Sequence, residues 1–526
     1  MNNKVNRVLR SLIGAWGIGF ALLGSGCTSM REWWHNGFKV GPNYHQPDAT
    51  VASRWIDYAD AKVKAQPQDC GKWWSQLDDP ILDSLIEKAV RQNLDLKTAG
   101  ARILESQGKR NIAAGNLFPQ SQQALAANPY AQISKNMALP LPHTLSLWAT
   151  GFNASWELDF WGRFRRAVEA ADADLSASID GYNEALVLLL SEVATNYVQA
   201  RIYQQRLAFA RRNVEIQQGS FEIAELRFKK GAASELDVQQ ARSVLTQTKS
   251  TIPPLRTGLR QANNRLCILL GVPPYDLVGQ LDSKPIPTAP PSIAIGIPAE
   301  LLRRRPDIRR AEREVASQSA QIGIATSDLY PRLALFGFIG YASDDLKNLF
   351  SANSFTGILL PTFQWQILNY GRILNNIHAQ DARFQAKVFA YQQAVLRADQ
   401  EVEDGLVAFL QSQEQSQILE ESVQAAERSV ELVVAQYRRG ATDFNRVYNA
   451  QALLVTQQDQ LAIARGNITL TMVAIYKSLG GGWEWFSRQP QSESCKPAET
   501  NRGAGLPAGG IVDSALTISK VGNKTK

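Results

Sequence analysis

Two stretches of 68 residues, 163–230 and 372–439, contain no proline and lead into the same short signature. The first gives RFKKGAASELDVQQA (Arg227 to Ala241) and the second QYRRGATDFNRVYNA (Gln436 to Ala450), so that Gly231 and Gly440 stand 209 residues apart. Residues such as Leu186, Leu190, Val193 and Tyr197 recur at the spacing of one helix face, which predicts a single helix for each stretch. At about 1.5 Å per residue each helix is ~100 Å long, far more than a compact domain needs. Gly231 and Gly440 supply the left-handed conformation that ends a helix. Ser234 and Asp443 then cap returning helices that run to Leu270 and Leu479.

The glycine turns belong to a longer repeat. ASWELDFWGR (Ala154 to Arg163) returns as TFQWQILNYGR (Thr362 to Arg372), pairing Trp156 with Trp365 and Gly162 with Gly371 at the same offset. Upstream, LDLKTAGARI faces PDIRRAEREV and NLFP faces DLYP, now 212 residues apart, and a loop absorbs the three-residue difference. Each copy opens with a helix, Pro80 to Leu117 or Pro298 to Leu329, stopped by a proline. Period two follows. Trp148, Phe152, Ala154, Trp156, Leu158 and Phe160 alternate with Ala149, Gly151, Asn153, Ser155, Glu157 and Asp159, and Phe363, Trp365 and Ile367 alternate with Thr362, Gln364 and Gln366. An apolar face opposite a hydrophilic one, closing on aromatics, is the pattern of a membrane β-barrel strand with lipid outside and water inside. Gly162–Arg163 and Gly371–Arg372 mark the corners from strand to helix.

Each copy supplies two strands and the chain four, whereas the smallest closed membrane barrels need about eight, and open edges cannot sit in lipid. The chain is therefore expected to oligomerise. Its formal charge of +7 offers no rival reading: Lys4, Arg7 and Arg10 hold three charges, the segment from Ser487 onward holds three net, and the body keeps one. A nucleic-acid or anionic-membrane partner therefore loses the support of the net charge. The four histidines (His35, His45, His143 and His378) are scattered without metal-ligand spacing, and no glycine-rich phosphate loop is present, so no enzyme chemistry is expected.

The N-terminus reads as an export signal: three cations precede an apolar run from Leu12 to Leu23 that is too short for a permanent span. It ends in LLGSGCTS, which resembles a bacterial lipobox and implies acylation of Cys27, although Gly24 stands where that motif usually has Leu. Thr28 after the cysteine, in place of Asp, implies sorting to the outer membrane. Cys267 is expected to be a buried thiol, and export permits a disulfide between Cys70 and Cys495.

With VGPNYHQP (Val40 to Pro47), WWSQLDDPILDSLIEKAVRQNLDL (Trp73 to Leu96), WELDFWGR, RRRPDIRRAE (Arg303 to Glu312) and the paired glycine turns, the chain resembles the TolC-like outer membrane channels of tripartite efflux systems, in their lipoprotein branch. The resemblance implies an α+β membrane protein. Four strands per chain would form a trimeric 12-stranded transmembrane β-barrel continuous with a long periplasmic α-helical barrel. It further implies an exit duct for drugs or other small solutes, lipid-anchored in the outer membrane. Its partners would be a periplasmic adaptor and an inner-membrane pump, with no cofactor beyond the lipid on Cys27. The expected organisation is a signal peptide (1–26), an anchored segment (27–79), a first repeat (80–272), a linker (273–297), a second repeat (298–482) and a disordered tail (483–526). Two alternatives stay open at this point: a protein-export duct, and a periplasmic coiled-coil scaffold without a pore.

Few residues suggest specific chemistry. RRRPDIRRAERE is read as a mixed-charge helix start after Pro306, and Trp73–Trp74 as a packing anchor. The turns at Gly231 and Gly440 would lie at the periplasmic end of the tunnel, six in a trimer. In the family the returning helix of the second copy carries a constriction, often with carboxylates; here those positions are Asn445, Arg446 and Asn449. Asp237 of the first copy is the repeat equivalent of Arg446. Asp237 and Arg446 are therefore expected to tie neighbouring hairpins, while Asn445 and Asn449 narrow the opening.

Overall fold

The computed structural model describes residues 30–64, 70–132, 134, 144–280, 284–300 and 304–488. The acylation site expected at Cys27, as well as His143, Cys495 and the tail beyond residue 488, lie outside the described residues. The chain divides into two units, Met1–Trp485 and Phe486–Lys526, and the architecture below is that of the first.

The main helices are α1 (Met30–His35), α2 (Pro80–Gln92), α3 (Leu94–Gly115), α4 (Arg163–Lys229), α5 (Glu235–Leu269), α6 (Pro306–Ser327), α7 (Arg372–Arg438) and α8 (Phe444–Ser478), with short helical turns at Leu277–Gln280 and at Trp483–Arg488, where a disordered tail was expected to begin. The strands are β1 (Val63–Lys64), β2 (Ser121–Ala127), β3 (Tyr130–Gln132), β4 (Thr144–Ser146), β5 (Trp148–Leu158), β6 (Ile293–Ala294), β7 (Arg332–Ser343) and β8 (Phe355–Gln364). Both long helices, α4 and α7, are 67 residues. Each folds back on a 35-residue partner to make a hairpin, α4 with α5 and α7 with α8.

The opening helix of the first copy is not continuous. Asn93 divides it, because its side chain accepts from Leu96 N (2.8 Å) to cap α3 and donates to Leu269 O (3.0 Å), pinning the break to the end of α5. In the second copy 298–300 form only a 3-10 turn, and the helix proper starts at Pro306, where a missing N–H costs nothing. Two small pairings escape the repeat: β1 lies parallel to β6 of the linker, and β3 pairs with β4 in the loop that holds the extra residues of the first copy.

The four long strands form one antiparallel sheet in the order β2-β5-β7-β8. Its register places the helix-bearing ends together, with Ser121 opposite Ser155, Leu158 opposite Leu333, and Arg332 opposite Gln364. Paired tryptophans weld each strand to the helix before it. Trp156 donates to Leu117 O (3.2 Å) and Trp365 to Leu329 O (2.9 Å), one contact written twice. In the second copy β8 ends at Gln364, so Trp365 and Ile367, read from the sequence as strand, lie just past it.

Candidate functional site

The expected duct has a wall, a collar where sheet meets helix, and a far end. One face of the sheet is uncharged. Trp148, Phe152, Trp156 and Leu158 on β5 are in register with Ser343, Ile339, Leu335 and Leu333 on β7, and these continue to Gly357, Pro361 and Phe363 on β8. Phe152, Ile339, Leu359 and Phe363 are 55–76% exposed. On the other face Ser121, Gln123, Asn153, Ser155 and Glu157 come from the first copy, as the alternation predicts. In the second copy Thr362 and Gln364 stand on this face as the alternation predicts, but Phe336, Phe338, Ile358 and Leu360 beyond them make the rest of it apolar. Alternation could not reveal this, because β7 and β8 are apolar on both sides.

At the collar, Gly162 adopts φ +80° as the N-cap of α4, where a Cβ would fall 2.8 Å from Lys39 Cα. Asp159 takes over the capping, accepting from Phe164 N (2.9 Å) and Arg165 N (3.0 Å). Arg166, 2% exposed, donates to Val40 O, Gly41 O and Asn43 Oδ1, and Lys39 pairs with Glu169. The VGPN segment is thus a strap threaded between α4 and α6, so close that a Cβ on Gly41 would sit 2.5 Å from Gly323 Cα. The paired tryptophans are a packing anchor as expected: Trp73 is fully buried and stacks on Tyr476 with centroids 5.5 Å apart. Arg305, Arg309 and Arg310 of the RRRPDIRRAERE segment are paired within the chain. Arg305 binds Asp307, Glu401 and Ser478 O, Arg309 pairs with Asp180, and Arg310 pairs with Glu184. Burial pushes the Asp180 carboxyl up, and Arg309 opposes the shift. Cys267 is fully buried; Cys70 is buried beside Arg304.

Between the two hairpins runs a seam of buried amides that local sequence patterns do not show. Asn213 donates to Gln458 (2.8 Å), Gln458 to Glu427 (2.8 Å) and Gln451 to Ser220 (2.8 Å), while Arg206 forks onto Asp459. Gln217, 1% exposed, has neither amide atom hydrogen-bonded.

At the far end Gly231 (φ +71°) and Gly440 (φ +77°) make the same turn: Ala232 N donates to Arg227 O, and Ala441 N to Gln436 O. Beneath them Tyr437 and Phe444 meet edge-on at 5.2 Å in a core with Ala224, Ala241 and Val447. Asn445, Arg446 and Asn449 lie together on the exposed side of α8. Asp237 has a local role within its own helix. Its carboxylate completes a capping box with Ser234, as Asp443 caps Arg446 N (3.2 Å), and within one chain Asp237 and Arg446 form no ion pair. At this end Arg227, for which the sequence gives no local signal, joins the two hairpins. It donates to Tyr437 O and to Ala232 O (3.1 Å), with its guanidinium 4.6 Å from the Tyr437 ring centroid. Burial, then Asp237, pushes the Tyr437 hydroxyl up, and Arg227 opposes.

A family model described as outer membrane efflux protein matches residues 85–272 and 297–481. Among curated relatives, the pyoverdine export outer membrane protein OpmQ of Pseudomonas putida is 30% identical over 441 residues, covering 82% of this chain and 92% of that protein. Nodulation protein T of Rhizobium leguminosarum is 28% identical over 470 residues, covering 88% and 96%. Among solved structures, the outer-membrane channel OprN matches with a TM-score of 0.81 at 31% identity, covering 85% of this chain and 99% of that one. A CusC structure matches with a TM-score of 0.72 at 27% identity, covering 84% and 100%.

Proposed function

Because this chain belongs to the outer membrane efflux protein family, we propose that it is the outer membrane exit duct of a tripartite efflux system, passing small solutes from a periplasmic adaptor and an inner-membrane pump to the exterior. The observation that carries the reading is the sheet: four antiparallel strands with one uncharged face and two open edges, joined at one end to two 67-residue helices. The edge strands β2 and β8 run in opposite directions, so β8 of one copy can pair with β2 of the next and keep the barrel antiparallel throughout. Three copies give twelve strands, and the hairpins then continue the barrel as a helical tunnel in the periplasm. With no phosphate loop in the sequence, the duct is passive and the partner pump supplies the energy.

Purified protein in planar lipid bilayers is expected to give discrete conductance steps. Protein that inserts yet stays silent over all voltages and salt concentrations would leave a scaffold instead of a duct.

The N-terminal strap supports a lipid anchor at Cys27, three residues before α1 begins. Labelling with an alkyne palmitate analogue is expected to mark the wild type and miss Cys27→Ala, and equal labelling of both would remove the anchor. Four strands per chain insert regardless of the lipid, so the variant is expected to keep part of its activity.

A further inference from the structure

The two copies line the proposed barrel with different chemistry. Following the register across the sheet, one row reads Ser121, Ser155, Phe336, Leu360 and the next reads Gln123, Asn153, Phe338, Ile358. In each row the first-copy strands contribute polar side chains and the second-copy strands large apolar ones. Phe336 is 37% exposed, Ile358 49% and Leu360 51%.

The curvature of the sheet identifies this face as the inner one. One row further on, Gly151 opposes Gly340. A Cβ built on Gly151 would lie 2.7 Å from Gly340 Cα, and one on Gly340 would lie 2.6 Å from Gly151 Cα. Side-chain directions that converge so sharply mark the concave side of a bend, and glycine kinks of this kind are what allow a sheet to curl closed. Gly151 and Gly340 share the face of Asn153, Ser155, Phe336 and Phe338 because residues two apart in a strand point the same way. The apolar patch therefore faces the lumen, and lipid meets the opposite, uncharged face.

We infer that Phe336, Phe338, Ile358 and Leu360 form a wall site in the lumen for neutral, aromatic or amphiphilic solutes in transit, one site per chain. The inference rests on the duct reading above. Two strands about 4.8 Å apart and two rows of side chains about 7 Å apart make a patch the size of one or two fused rings. Gln123 and Asn153 lie in the same row as Phe338 and Ile358, and β2 of the neighbouring copy would bring a further Ser121 and Gln123 beside β8. A solute with an apolar body and a hydrogen-bonding edge can satisfy both kinds of wall at once. The two rows hold no charged side chain, so the site selects by apolar area and not by charge sign.

The test is single-channel recording of the full-length protein in planar bilayers, with 1-naphthol as the probe and glucose, which is of similar size, as the polar control. Wild-type channels are expected to show added current noise with naphthol and none with glucose. Phe336→Ser/Phe338→Ser is expected to keep its open-channel conductance and need roughly tenfold more naphthol for the same noise. Phe338→Leu, which keeps an apolar wall, is expected to respond like the wild type. Equal naphthol noise in wild type and the serine variant, or none in either, would overturn the wall site. If no channels form at all, the failure lies with the duct reading, and the open-channel conductance read in every experiment separates the two.

Discussion

Gly340→Val is expected to abolish assembly of the channel. Gly340 is buried at the junction of the two repeats, and its Cβ would fall 2.2 Å from Thr150 O and 2.6 Å from Gly151 Cα. Both obstacles are backbone, so no side chain can turn away to make room. The β5–β7 pairing must open there, with loss of ladder hydrogen bonds and of the bend that lets the sheet close. A cost of about 4 kcal/mol or more per chain is expected for strain and unpaired backbone combined, and three copies would multiply it. Assembled oligomer on native gels should disappear, and outer membrane yield should fall at least tenfold. Gly337→Ala is the matched control: three residues away, on the outer face, its Cβ would meet nothing nearer than Ile358 O at 4.0 Å. Wild-type yield of Gly340→Val would show that the sheet does not need to bend at this pair.

The contrast between those two glycines shows where the sequence was legible and where it was not. The long helices, the glycine turns and β5 follow from local rules, namely helical spacing, absence of proline and strict alternation. The tips of α4 and α7 fall within one residue of the limits read from sequence. Alternation is silent on RLALFGFIGYAS, because a strand that is apolar on both faces has no period-two signal, and the apolar inner wall of the second copy is not legible in the sequence for that reason. The break at Asn93 depends on Leu269, 176 residues away, and the Asn213–Gln458 seam spans 245, distances over which no local pattern carries information. Of the tip residues singled out beforehand, Asn445, Arg446 and Asn449 share an exposed helix face, whereas Asp237 serves its own cap. Arg227 could have been found by asking where the repeats differ, since Arg227 in one copy stands at the place of Gln436 in the other.

That difference makes Arg227→Ala the second large expected effect. One Arg227 contact crosses between the hairpins, to Tyr437 O in the last turn of α7, while the other, to Ala232 O, closes the turn after its own helix. The charge-assisted bond to the part-buried Tyr437 carbonyl contributes about 2 kcal/mol, and the stacking on Tyr437 adds to this. The seam above it can yield more easily. Amides such as Asn213, Gln451 and the unpaired Gln217 can exchange partners as the hairpins slide, without bringing apolar surface into water. On this reading the tie at Arg227 holds the far end closed and the seam lets it open once the tie is lost. Arg227→Ala should raise single-channel conductance severalfold and admit large antibiotics that the wild type excludes. Arg446→Ala should act through charge: removing one exposed guanidinium per chain from the proposed ring with Asn445 and Asn449 should lower preference for anions, read as a shift in reversal potential under a salt gradient. Asp237→Asn, which keeps an acceptor for the capping box, should leave conductance near wild type. Wild-type conductance in Arg227→Ala channels of full oligomeric yield would show that the barrier lies elsewhere and that the six turns form a docking edge alone.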